Sequence, residues 1–160
     1  LWSKIIGVYD YRALASSADF ISVMAYDDPV SRGPVARYSW LKQVLDHSLR
    51  LIPSEKLSLG IPLYYWKRNV LSGKRVETGG YQGIKNVLTK RKFTRGYSPL
   101  YETAYLFYQH RGNSYTLWYE NARSIKKKLE LITTNHLHGF SAWALGLEVP
   151  DIHQAIQKPF

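Results

Sequence analysis

The sequence predicts an α/β fold built from parallel β/α units, either a small open sheet or a portion of a closed barrel. Three observations predict it. Apolar runs of strand length at 19–27, 56–66 and 137–146 read as strands buried on both faces. Segments with apolar residues at helical spacing alternate with these runs, the order expected of β/α units. Three core strands in 160 residues fall short of the eight strands and about 250 residues of a closed barrel.

Each element has its own signal. "YDYRALASSA" (9–18) spaces Ala and Leu as a short helix does, with Asp10 placed to cap it. "DFISVMAYD" (19–27) is the first buried strand, and it ends in Tyr26, Asp27 and Asp28, with Pro29 turning the chain away. In "RYSWLKQVLDHSLRLI" (37–52), Trp40, Leu41, Val44, Leu45, Leu49 and Ile52 fall at helical spacing; Ser39 is the expected cap and Pro53 the stop. "KLSLGIPLYYW" (56–66) is the second strand. Gly60 and Pro62 argue against an ordinary central strand, so its end is expected to run into a loop.

Residues 67–119 differ in texture, with Gly, basic residues and short aromatic stretches intermixed, and read as a small α+β insertion within one domain spanning 1–160. Inside it, "TAYLFYQHRGNSYTLWYE" (103–120) predicts a hairpin turning at "HRGN". "ENARSIKKKLELITTN" (120–135) is an amphipathic helix: Ala122, Ile125, Leu129 and Ile132 share a face, and Lys126, Lys127 and Lys128 fall mainly on the solvated side. "LHGFSAWALG" (137–146) is the third buried strand, leaving at Gly146, and "VPDIHQAIQ" closes with a short helix.

Composition narrows the chemistry. No cysteine is present, which excludes a thiolate nucleophile and a Cys zinc site. His136 and His138 lack a third ligand nearby in sequence, so they read as loop histidines rather than a metal site. No nucleotide-binding glycine pattern and no Gly-x-Ser-x-Gly occurs, and no cofactor is implied. Leu1–Val8 lacks the length and charge layout of a signal peptide, and no apolar run reaches the roughly 20 residues of a membrane span. The net charge of +10 favours an anionic partner. Nine basic residues against one acid, Glu77, lie between Lys67 and Arg95. This stretch reads as a solvated, locally basic loop region; the alternative is a module for an anionic polymer. No recognised nucleic-acid-binding motif accompanies it.

The strand ends carry the functional signal. In β/α proteins ligands bind beyond the C-terminal ends of the strands. Here those ends hold Tyr26, Asp27 and Asp28; Tyr64, Tyr65 and Trp66; then Trp143 with Glu148 just after. Aromatic faces stack on sugar rings, and carboxylates accept hydroxyl or amide hydrogen bonds. Any one of these residues could simply plug the top of the core or cap a turn. Three strands ending alike favour a sugar-binding rim.

Those same stretches resemble glycoside hydrolase family 18, the chitinase-like TIM barrels. "DFISVMAYDDPVSRGPVA" is similar to its sixth-strand segment, with the pattern Met-x-Tyr-Asp, and "KLSLGIPLYYW" to its seventh strand. "YTLWYENARSIKKKLELITTNHLHGFSAWALGLEVPDIH" resembles its last β/α unit, closest to the bacterial spore-cortex and cell-wall branch. The resemblance implies the C-terminal part of a (β/α)8 barrel, about strands 6 to 8. It implies a substrate containing N-acetylglucosamine, chitin or peptidoglycan, and an extracellular or cell-envelope location.

In this family the substrate's own acetamido oxygen attacks the anomeric carbon, an exception to the two-carboxylate scheme. By resemblance, Tyr26 would hold the acetamido group and Asp27 would contact it, with Met24 packed below Asp27. Trp143 would form the floor of the subsite, flanked by Tyr64 and Trp66; Glu148 receives no role. The family's proton donor is the Glu of Asp-x-x-Asp-x-Asp-x-Glu on the fourth strand, and that pattern is absent from these residues. The chain is therefore expected to position substrate and, alone, to be inactive. The alternative is a non-catalytic carbohydrate-binding protein. An open barrel edge and uncovered apolar faces are also expected, to be met by the missing half of the barrel or by a second copy.

Overall fold

In the computed structural model, which describes residues 9–157, the strands divide into two sheets. The reading of Leu1–Val8 lies outside the described residues. In chain order the elements are α1 (Tyr11–Ser17), β1 (Ile21–Val23), α2 (Tyr38–Leu49), β2 (Leu57–Pro62), β3 (Tyr65–Asn69), β4 (Arg75–Gly79) and α3 (Tyr81–Lys90). There follow β5 (Phe93–Ser98), β6 (Thr103–His110), β7 (Asn113–Tyr119), α4 (Ala122–Thr134), β8 (Gly139–Trp143) and α5 (Ile152–Ile156).

The three runs read as core strands form one parallel sheet in the order β1-β2-β8. Helices α2, α4 and α5 bury Leu41, Leu45, Ile125, Leu129 and Ile152 in the same core as Leu57, Leu59 and Ile61 of β2. Burial on both faces holds for β2 alone, whose six residues are all buried. Among the described residues β1 and β8 each have a single neighbour, and Ser22, Met24 just past β1, Ser141 and Trp143 are all exposed. Phe20, just before β1, is 52% exposed, Met24 70% and Trp143 61%. Among the described residues, nothing covers these side chains.

The sheet is curled toward the Ser22 and Ser141 side chains. Adjacent strands lie about 4.8 Å apart, so β1 and β8, separated by β2, would stand roughly 10 Å apart in a flat sheet. Yet the Ser22 and Ser141 hydroxyls meet at 2.5 Å. Such short side chains can touch across a strand only if the wall is concave there.

Several local expectations are corrected. The first strand spans three residues rather than nine, because the chain turns at once: the Ala25 N–H bonds back to the Val23 carbonyl at 2.9 Å. Gly60 lies inside the central strand, and Pro62 is its last residue, where the chain leaves through Leu63 and Tyr64 as expected. A Cβ on Gly60 would meet the Val23 carbonyl oxygen at 2.6 Å, so glycine is what lets β1 approach. Asp10 caps α1 as expected, accepting from the N–H groups of Arg12 and Ala13. Ser39 does not cap α2; the cap position is Arg37, whose side chain makes no capping bond.

Tyr65 opens the second, antiparallel sheet, ordered β4-β3-β7-β6-β5. Its β6–β7 hairpin turns at Arg111 (φ 49°) and Gly112 (φ 73°), the left-handed pair of a tight two-residue hairpin. The basic stretch is mostly strand and helix, with Lys74, Arg91 and Lys92 in the turns between them, and its cations are largely solvated as expected, Arg68 and Lys67 excepted. Arg68 is buried and donates to the carbonyls of Gly33, Ser31 and Gly73, and Lys67 pairs with Glu77. Lys128 overturns its expected place on the solvated side of α4. Its side chain is fully buried and its Nζ donates to Glu120 at 2.7 Å. Position 128 lies one residue before Leu129 and three after Ile125, close enough to the apolar face to be drawn in when a carboxylate waits there.

Candidate functional site

The ends of β2 and β8 are tied together by backbone. The Leu63 N–H, just past β2, donates to the Trp143 carbonyl at the end of β8, 2.7 Å away. That bond sets Tyr64 beside Trp143. After β8 the chain passes Gly146 (φ 88°), whose N–H donates to Glu148 at 2.7 Å, and returns to the start of α3, where the Tyr81 N–H reaches the Leu147 carbonyl. Glu148, left without a role by the sequence, thus braces this loop and also pairs with His153.

After β1 the chain twists through Asp27 at φ 61°, a left-handed conformation that Asp tolerates better than most residues. Asp27 there accepts the Tyr64 hydroxyl proton at 2.6 Å. Tyr26 meets Tyr64 edge to face, with ring centroids 6.3 Å apart. Burial, then the hydrogen bond and charge of Asp27, push the Tyr64 phenol far above its ordinary range. Tyr26 is also raised, by burial and then by Asp27. Both phenols remain proton donors at neutral pH. Asp28 takes no part: it is buried in an ion pair with Arg37 and shapes the loop behind the rim.

Asp27, Tyr64, Trp66, Arg75, Thr78, Gly79, Trp143 and Leu147 line one open cavity of about 370 Å³. That size lies within the usual range for small-ligand sites. The structure therefore brings Asp27, Tyr64 and Trp143 together as the sequence anticipated, with Tyr26 against Tyr64. Two candidates differ. Met24 is exposed rather than packed beneath Asp27. Trp66 belongs to β3 and is only 4% exposed, with the guanidinium groups of Arg68 and Arg75 stacked 4.9 and 4.7 Å from its ring, so it forms wall rather than an open platform. Its indole N–H is buried without a partner among the described residues.

Arg75, Thr78, Gly79 and Leu147 were not anticipated. Arg75, Thr78 and Gly79 reach the cavity because β4 folds back on β3, opposing Arg75 to Arg68 and Gly79 to Tyr65, whereas Leu147 comes from the loop after β8. Nothing at positions 75–79 distinguishes them from the surrounding basic, glycine-containing run. His138 stacks on Phe20, with centroids 4.9 Å apart.

The model of the glycosyl hydrolases family 18 matches residues 2–148. Among curated proteins, an uncharacterized glycosylase of Bacillus subtilis (strain 168) is 28% identical over 154 residues, covering 94% of this chain and 45% of its own length. Among solved structures, a chitinase from Chromobacterium violaceum ATCC 12472 superposes with a TM-score of 0.78 at 28% identity, over 94% of this chain and 50% of that one. The spore cortex-lytic enzyme of Bacillus megaterium QM B1551 gives a TM-score of 0.78 at 26% identity, over 93% and 35%. The chain spans less than half the length of the curated relatives it matches.

Proposed function

This chain belongs to glycosyl hydrolase family 18, and from that premise we propose that it is the C-terminal portion of a (β/α)8-barrel glycosidase acting on an N-acetylglucosamine-containing polysaccharide. The observation that carries the reading is the shared cavity: Asp27, Tyr64 and Trp143 come from the ends of three different strands and line one opening. Trp143, 61% exposed, offers a flat apolar face for a pyranose ring. Tyr26 and Tyr64 offer hydroxyls that stay protonated. In this reading Tyr26 donates to the acetamido oxygen and holds it for attack on the anomeric carbon. Asp27 accepts from the acetamide N–H and stabilises the charge that develops as the ring closes.

The leaving oxygen requires a proton, and no Asp-x-x-Asp-x-Asp-x-Glu in these 160 residues supplies it. The isolated chain is thus expected to bind without cleaving. Incubation with chitooligosaccharides and with peptidoglycan should release no reducing ends. NMR titration with N-acetylglucosamine oligomers should give saturable shifts at the rim, weakened by Trp143→Ala. Release of reducing ends by the isolated chain would refute the division of labour, and rim-independent binding would refute the site. A second reading, a carbohydrate-binding protein without catalysis, rests on the same cavity; the fourth-strand Glu of the parent protein separates the two.

A further inference from the structure

Arg75 is the one cation lining the cavity, and among the described residues no ion pair or hydrogen bond engages its guanidinium. The neighbouring cations are occupied. Arg68 is bonded to three backbone carbonyls, Lys67 is paired with Glu77, and Arg37 with Asp28. The nearby acids are occupied too: Glu77 accepts from Lys67 and Tyr65, and Asp27 accepts from Tyr64. Arg75 is nonetheless held in place, because its guanidinium lies 4.7 Å from the ring of the buried Trp66. Stacking occupies a face of the guanidinium plane and leaves its edge N–H groups free, the geometry that grips a carboxylate with two parallel bonds. A neutral glycan has no group that needs such a fork.

We propose that Arg75 is a specificity-determining residue that reads a carboxylate borne by the sugar, so that the cavity takes an acidic N-acetylated glycan in preference to a neutral one. The inference rests on the glycan-binding reading of the same cavity. A sugar seated on Trp143 has Asp27 and Tyr64 within the same cavity, and Arg75 in the wall contributed by the antiparallel sheet. A substituent on the ring that points toward that wall reaches the cation. The excess of positive charge over the whole chain, +10, adds long-range attraction for the same class of ligand.

The test compares two tetrasaccharides by NMR titration of the 160-residue chain: neutral chitotetraose, and a peptidoglycan tetrasaccharide with free lactyl carboxylates. The acidic ligand is expected to bind about tenfold tighter at low salt, as one added charge-assisted contact gives. Arg75→Gln should remove that preference, lowering affinity for the acidic ligand about tenfold more than for chitotetraose. Arg75→Lys, which keeps the charge but loses the stacked fork, should retain only part of it. The exposed position leaves the fold intact, checked by the amide spectrum of each variant. Equal binding of both ligands, or an equal loss for both in Arg75→Gln, overturns the role of Arg75 and leaves the glycan site standing. Binding of neither ligand to the parent chain overturns both.

Discussion

The Tyr64 hydroxyl donates to Asp27 across the ends of two parallel strands, 2.6 Å away. This bond joins two side chains 37 residues apart and fixes Asp27 in its left-handed turn. Tyr64→Phe is expected to lower stability by about 0.5–1.5 kcal/mol, the usual net effect of removing one hydrogen bond, because this one is exposed. It should weaken N-acetylglucosamine oligomer binding more than stability, because Asp27 is freed to reorient. Chemical denaturation beside NMR titration separates the two effects; unchanged binding would mean that the bond does not organise the rim.

Trp143→Ala is expected to behave in the opposite sense. Its side chain is mostly exposed, so unfolding midpoints should barely move. Affinity for acetylated oligosaccharides should fall roughly tenfold through loss of the stacking face. A large drop in stability with binding retained would reassign Trp143 to packing.

The buried pair of Lys128 and Glu120 yields a prediction about stability alone. Lys128→Ala or Glu120→Ala leaves an unpaired charge in the core and is expected to cost about 3–5 kcal/mol. Replacing both with Met should cost far less, since neither charge then needs a partner. Urea midpoints of the two single variants and the double variant form the cycle, and additive losses would count against direct coupling.

Alkaline pH should unfold the chain in a defined sense. Tyr26, Tyr64, Tyr65, Tyr97 and Tyr119 are all raised above the ordinary value of 10.0, burial being the first cause in each. Hydrogen bonds to Asp27, Glu77 and Glu102 add to it for Tyr64, Tyr65 and Tyr97. A raised folded value means that the native state keeps its protons after the unfolded state has lost them. The contribution is therefore complete below pH 10 and is lost as pH climbs through the folded values. Urea midpoints should be flat from pH 8 to 9.5 and fall steeply by pH 11, with phenolate absorbance at 295 nm rising on unfolding. A midpoint unchanged at pH 11 would contradict this.

How much of this was legible in the residues depends on the range of the interaction. The three parallel strands, the "HRGN" hairpin and the Asp10 cap follow from local pattern, and the structure contains all of them. The rim was legible because Asp27, Tyr64 and Trp143 sit where strands end, a position that chain order alone predicts. Lys128 was misplaced because its partner Glu120 lies outside the helix, where periodicity carries no information. Arg75 was invisible for the same reason: it joins the cavity through the pairing of β3 with β4, a tertiary event. Gly60 was read as arguing against an ordinary central strand, but its missing side chain is what makes room there for the neighbouring strand.

The contact between Ser22 and Ser141 makes two positions on opposite margins of the parallel sheet answer to one volume. Enlarging either side chain would push the margins apart and flatten the wall, so the residue permitted at one depends on the residue present at the other. Together they act as a gauge for the arc: strands that join at either margin inherit a radius already chosen by two hydroxyl groups.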